Sequence, residues 1–150
     1  MVMTRQQLLK SIDSERVKTA IEQAEDQTSG EIVVSVAPFF WGSVEKAARR
    51  AFARLGITQT HLHNGVLFFI VPSRRTFVVL GDQGIHEKVG QNFWNDIAGH
   101  LSRQFREGNF TEGLVHGINE VGRQLAAYFP YDPSADVNEL SDDVDFGGER

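Results

Sequence analysis

Apolar positions along this chain switch between two rhythms, and each switch marks an element. Val17, Ile21 and Ala24 recur at helical spacing behind Asp13 or Ser14, either of which can cap a first turn, and Ser29-Gly30 ends the run. Leu8, Leu9 and Ile12 extend that helix backwards. Glu31 to Val36 is rich in β-branched residues, which favours a strand, and Pro38 stops it. Ser43 caps a helix through Leu55, with Val44, Ala47, Ala48 and Ala51 inward and Gly56 closing it. After the polar stretch Thr58 to Asn64 comes Gly65 to Val71, apolar on both faces and so a central strand. Pro72 to Arg75 turns the chain, and Thr76 to Leu80 returns as a hairpin partner. Trp94, Ile97, Leu101 and Phe105 define one further helix, and Leu114, Ile118, Val121 and Leu125 another. The latter opens with Asn109 to Glu112, which has the spacing of a capping box.

This order predicts an α/β fold, a three-layer α/β/α sandwich around a small mixed sheet. The strands beginning at Glu31 and Gly65 run parallel across a helical crossover, the second and third strands form a hairpin, and helices cover both faces. There is room for one more short strand. The topology then brings three segments to one edge: the starts of the first two strands, at Glu31 and Asn64, and the end of the third, at Asp82. Two carboxylates and an amide are the hard oxygen donors that suit Ca2+ or Mg2+. Ser29, Glu87 and Asp96 form a second rank. Taken singly, each has a plain reading: Glu31 a solvated strand start, Asn64 a turn residue, Asp82 a cap for a short turn from Gly84 to Val89.

Composition narrows the possibilities further. At 150 residues and 41% hydrophobic content, one core and one domain are expected. Cysteine is absent, which excludes disulfides, thiolate zinc sites and a cysteine nucleophile. The net charge of -5 is not spread evenly: residues 131–150 hold seven acids and one base, while the 13 acids and 14 bases before them nearly balance. Residues 1–130 therefore read as the domain and 131–150 as an acidic, mobile, solubilising tail. The functional alternative for that tail is a cation-binding or partner-docking segment, with Val137, Leu140, Val144 and Phe146 available to pin it. Scattered arginines without a basic stripe argue against a nucleic-acid partner. The first ten residues lack the apolar core of a signal peptide, and no stretch approaches the ~20 apolar residues of a membrane span. A cytoplasmic protein without membrane insertion is expected.

Thr28 to Val34, Leu55-Gly56-Ile57, Asn64 to Leu67, Arg75 to Asp82 and Gly84 to Gly90 together, in this order and spacing, resemble the TPM domain family. The family is named for its thylakoid lumenal, photosystem II repair and MOLO-type members. The resemblance runs from Ser11 to Pro130, and the stretches Asp136 to Leu140 and Asp145 to Gly147 are similar to the tail of its small bacterial members. It implies an α/β/α sandwich, an acidic site for calcium or magnesium, and a phosphatase activity attributed to some members; others resemble accessory modules of membrane-protein complexes. Glu31, Asn64 and Asp82 are the positions onto which that chemistry carries over. The secretion signal and carboxyl-terminal anchor of many relatives find no counterpart in these residues, which argues against a membrane-repair role.

No phosphate-binding loop of the Gly-x-x-x-x-Gly-Lys-Ser/Thr type occurs, so a metal route to phosphate chemistry is the one left open. The functional expectation is a divalent-cation-dependent phosphohydrolase of low specificity, acting on phosphomonoesters or nucleotide phosphoanhydrides. Its cation would be held by Glu31, Asn64, Asp82 and Glu87, with Asp82 and His86 as catalytic groups. An aspartyl-phosphate on Asp82 is conceivable without a motif behind it, and an open sheet edge predicts slow turnover. The alternative is a non-catalytic Ca2+- or Mg2+-binding module that docks on a protein partner. His61 and His63 read as surface residues before they read as a metal pair, and His100 and His116 as helix-flank residues. Phe39, Phe40 and Trp41 read as core, or else as a partner-binding patch.

Overall fold

A computed structural model describes residues 4–38, 42–133 and 140–147. Its elements are α1 (Arg5–Ser11), α2 (Ser14–Glu25), β1 (Glu31–Val36), α3 (Val44–Arg54), β2 (Gly65–Val71), β3 (Thr76–Gly81), α4 (Gln83–Arg106) and α5 (Phe110–Tyr128), with single 3-10 turns at Ile57–Gln59 and Pro72–Arg74. The sheet order is β1-β2-β3, β1 and β2 parallel, β2 and β3 antiparallel.

Side-chain alternation splits the interior into two cores. Ile32, Val34, Val36, Val66, Phe68 and Ile70 pack with α2, α4 and α5, while Val33, Leu67, Phe69 and Val71 pack with Ala47, Ala48 and Ala51 of α3 and with Ile57. Every residue of β2 is buried because both faces of the sheet are covered. Small residues set how near the helices come. A β-carbon at Gly117 of α5 would stand 2.9 Å from the Phe68 ring, and one at Gly122 would stand 2.8 Å from Ala24 Cβ.

Three local expectations change. The first helix is two: Thr4 and Gln7 form a capping box on α1, Ile12 is extended (φ -133°, ψ 129°), and Asp13 caps α2 anew. The break is fixed from a distance, since the Asp13 amide donates to Thr111 Oγ1 at 3.0 Å. Asn109 to Glu112 form no capping box, because the side chains that would make it are engaged elsewhere. Thr111 serves α2, Glu112 pairs with Arg16, and Asn109 Nδ2 donates to Gln104 and Glu107. Finally, α4 bends at Gly90 (φ 76°, ψ 172°), so the short turn and the long helix expected after Asp82 follow one another as a single kinked element.

Part of the acidic tail is pinned to the body, through three of the four apolar residues available for it. Residues 140–147 are docked on the body. The Val36 amide donates to Asp145 O at 2.7 Å and the Asp145 amide to Val34 O at 2.9 Å, a one-residue parallel bridge on the outer edge of β1. Val144 and Phe146 join one core and Leu140 the other. Asp145 pairs with Arg54 at 2.8 Å and Asp143 with Lys18 at 2.9 Å. Val137, and the aromatic trio Phe39, Phe40 and Trp41, lie outside the described residues. Among the described residues no helix is long and apolar enough to cross a membrane.

Candidate functional site

Register places Glu31 opposite Gly65, and the Asp82 amide donates to Gly65 O at 2.9 Å, so Glu31, Gly65 and Asp82 form one row at one edge of the sheet. With a strand between them, the two acidic backbones lie roughly 10 Å apart. Ile57 occupies the space over the middle of the row, where a β-carbon at Gly65 would come 2.6 Å from its Cγ2. The two carboxylates accordingly find different neighbours.

Asp82 is taken up by the fold around it. Its Oδ1 accepts from the Gln83 amide at 2.8 Å and caps α4, and its Oδ2 lies 3.2 Å from His63 Nδ1. The His63 carbonyl in turn accepts from the Gly84 amide at 2.8 Å. His86 Nδ1 accepts from Trp94 Nε1 at 2.9 Å, and exposed Glu87 accepts from Gln83 Nε2 at 3.2 Å. Asp96 stands on an exposed flank of α4, lining a different cavity with His100. Asn64 is 1% exposed; its Nδ2 is 3.5 Å from Ser29 Oγ, and its Oδ1 is buried with no hydrogen-bond partner among the described residues. The edge thus joins Ser29 to Asn64 and Asp82 to His63, while Glu87 and Asp96 stand apart.

Glu31 belongs to another set. Though 2% exposed, it lines a cavity of about 520 Å³ with Glu22, Glu25, Asp26, Thr28, Gly30, Tyr131 and Asp142. One Glu31 oxygen accepts from the Leu140 amide at 3.0 Å, and Glu25 Oε2 accepts from the Ile32 amide at 2.7 Å. Burial, a hydrogen bond with Asp142 and the charges of Glu31 and Asp142 push the Glu25 carboxyl up to about 10, against the Ile32 amide, which favours its charged form. Glu25 therefore keeps its proton at neutral pH when only these groups surround it. The backbone adds to this. Glu22, Glu25 and Asp26 crowd the C-terminal end of α2, the negative pole of its dipole, with no basic residue in the last turn, whereas α1, α3 and α4 end on Lys10, Arg54 and Arg103 with Arg106.

Carboxylate oxygens match Ca2+ or Mg2+ in donor chemistry, and the cavity lining contains neither imidazole nor thiol. Among the described residues no three or more His, Asp or Glu side chains are already gathered tightly enough to enclose an ion. The arrangement is an open set of oxygens whose members come from α2, β1 and the tail.

Of the acids in this set only Glu31 was singled out by sequence reasoning. Glu25 follows Ile21 by four residues and so shares the inward face of α2, a signal that was available. Asp142 stood among tail acids read collectively as solvated, and no local pattern separates it from them.

A family model described as the TPM domain matches residues 2–124. Among solved structures, the BA42 protein of the psychrophilic bacterium Bizionia argentinensis is 37% identical, with a TM-score of 0.82, over 91% of this chain and 95% of that one. The N-terminal domain of the cg2496 protein of Corynebacterium glutamicum is similar in fold, at 13% identity and a TM-score of 0.59 over 74% of this chain and 70% of that one. No curated protein matches.

Proposed function

The chain belongs to the TPM domain family, and from that premise we propose that it is a divalent-cation-binding domain whose site is the acidic cavity between α2, β1 and the tail. The observation that carries this reading is Glu25: a half-buried carboxyl hydrogen-bonded to Asp142 and beside the charge of Glu31 at the negative end of a helix. Glu25, Glu31 and Asp142 would hold Ca2+ or Mg2+. The Ile32 and Leu140 amides each fix one carboxylate in place, so part of the orientation is set in advance. A bound ion supplies positive charge to these acids and, toward a phosphate ester, Lewis-acid polarisation. Because Asp142 and Leu140 are tail residues, occupation of the site is coupled to docking of the tail, which suits a module whose surface depends on its cation.

The second reading is the low-specificity, cation-dependent phosphohydrolase, with a phosphate-bearing small molecule as substrate. Its support is the phosphatase designation that the matched family model carries. In that reading Asp82 would hold the cation with Glu31 and His86 would accept the proton, yet Asp82 caps α4 and His86 accepts from Trp94, which favours the binding module.

Thermal shift with millimolar Ca2+ or Mg2+ tests both, because a ligand held only by the folded state raises the melting temperature. A rise abolished by Asp142→Asn supports the site; no rise overturns it. Phosphate release from an aryl phosphate and from ATP then separates the readings. The module predicts no release above background. Release that is lost with chelator and with Asp142→Asn decides for the hydrolase.

A further inference from the structure

His100 of α4 and His116 of α5 face one another, with ring centroids 4.9 Å apart and ring planes at 59°. The two helices are joined by only Glu107 to Asn109, so they run back along each other. Asp96 lies one helical turn before His100 and Glu120 one turn after His116, which puts both acids on the same side of the imidazole pair. Asp96, His100, Arg103 and Glu120 line one cavity of about 470 Å³. Both histidines are exposed, so neither is spent on filling the core.

We propose that His100 and His116 form a site for a first-row divalent transition ion, separate from the acidic cavity and independent of how that cavity is read. Imidazole nitrogen binds such ions at roughly 2 Å, so two rings on one ion bring their ligating nitrogens to roughly 3–4 Å, within ring rotation of the spacing seen here. The facing histidines supply two ligands from two helices; Asp96 and Glu120 lie on the same side but are not gathered round them, Glu120 being paired with Arg123, so water completes the coordination. Ca2+ and Mg2+ prefer oxygen and leave imidazole aside, so the two sites sort ions by softness. Arg103 works against the site. A guanidinium only donates, so the 2.8 Å contact between Arg103 Nη2 and His100 Nδ1 occupies that nitrogen's lone pair and puts a positive charge beside any incoming dication.

The test is calorimetric titration of the tag-free chain with Cu2+, Ni2+ and Zn2+, for wild type, His100→Gln, His116→Gln and Arg103→Gln. The site predicts Cu2+ tightest, a loss of about tenfold or more in Ni2+ affinity on removal of either histidine, since the second ligand binds intramolecularly, and a gain in Arg103→Gln. Excess Ca2+ and Asp142→Asn should leave these affinities unchanged. Paramagnetic broadening by Cu2+ provides a readout on the unaltered protein, centred on the α4 and α5 turns that carry the two histidines. Equal Ni2+ binding by wild type and both histidine variants, or broadening centred on His61 and His63, overturns the proposal.

Discussion

Glu25 concentrates the electrostatics of the acidic cavity in one group. Its folded value of about 10 lies far above that of an ordinary glutamate. Below the ordinary value both the folded and unfolded chains hold the proton. Between there and about 10 only the folded chain does, so stability must fall as pH rises through that window. Melting of chelator-treated protein from pH 5 to pH 9 should show this fall. Glu25→Gln, which keeps an acceptor for the Ile32 amide, should flatten it and stabilise the protein at pH 8 by about 1–2 kcal/mol, a Tm rise of about 2–8 °C for a chain of this size. A divalent cation should flatten the wild-type profile in the same way. The position of Glu25 on the inward helix face was legible from its distance to Ile21. Its burial was not, because Asp142, which hydrogen-bonds to it, comes from the far end of the chain.

At the scale of elements, β1 and β2 were legible to the residue, since β-branched and aromatic runs bounded by glycine and proline leave little alternative. Helix ends set by distant partners were hidden. Ile12 is apolar and one turn after Leu8, which suggests a helix running on; Asp13 was legible as a cap, but the Asp13–Thr111 contact that holds the break in place was not. The same contrast governs Asp82. Strand direction correctly put it on the edge of Glu31, but the cap it provides and Ile57 over Gly65 depend on packing that no local pattern reveals. Asp82→Ala should therefore behave as the loss of a helix cap: destabilisation by about 0.5–2 kcal/mol in urea unfolding, with the Ca2+-induced rise in melting temperature retained. If the variant abolishes that rise, Asp82 is a ligand and the site lies along the sheet edge.

For the molecule as a whole, the consequential feature is that its acidic tail lines an acidic cavity on its body. Charge counting showed where the acids are, yet a stretch of such composition is ordinarily solvated, and the apolar residues that pin it are too sparse to reveal a register. Asp145 is the clasp. Burial opposes its charge, but hydrogen bonds from Arg54 and Ser35, with the Arg54 charge and the Gly147 amide, outweigh burial and hold its carboxyl below the ordinary aspartate range. This contribution is present above the ordinary value and is lost as pH falls through the lowered one, so the tail should become protease-sensitive below about pH 4 while the body remains folded. At neutral pH, Arg54→Ala should loosen the tail and Ca2+ should slow its cleavage, both read by intact mass during limited proteolysis. The most direct measurement is a Ca2+ titration followed by amide NMR on wild type and Asp142→Asn. The acidic cavity predicts saturable shifts at Ile32 and Leu140, whose amides bond Glu25 and Glu31, and their loss in the variant. Shifts confined to His63, Asp82 and Gln83, or none at all, would contradict it.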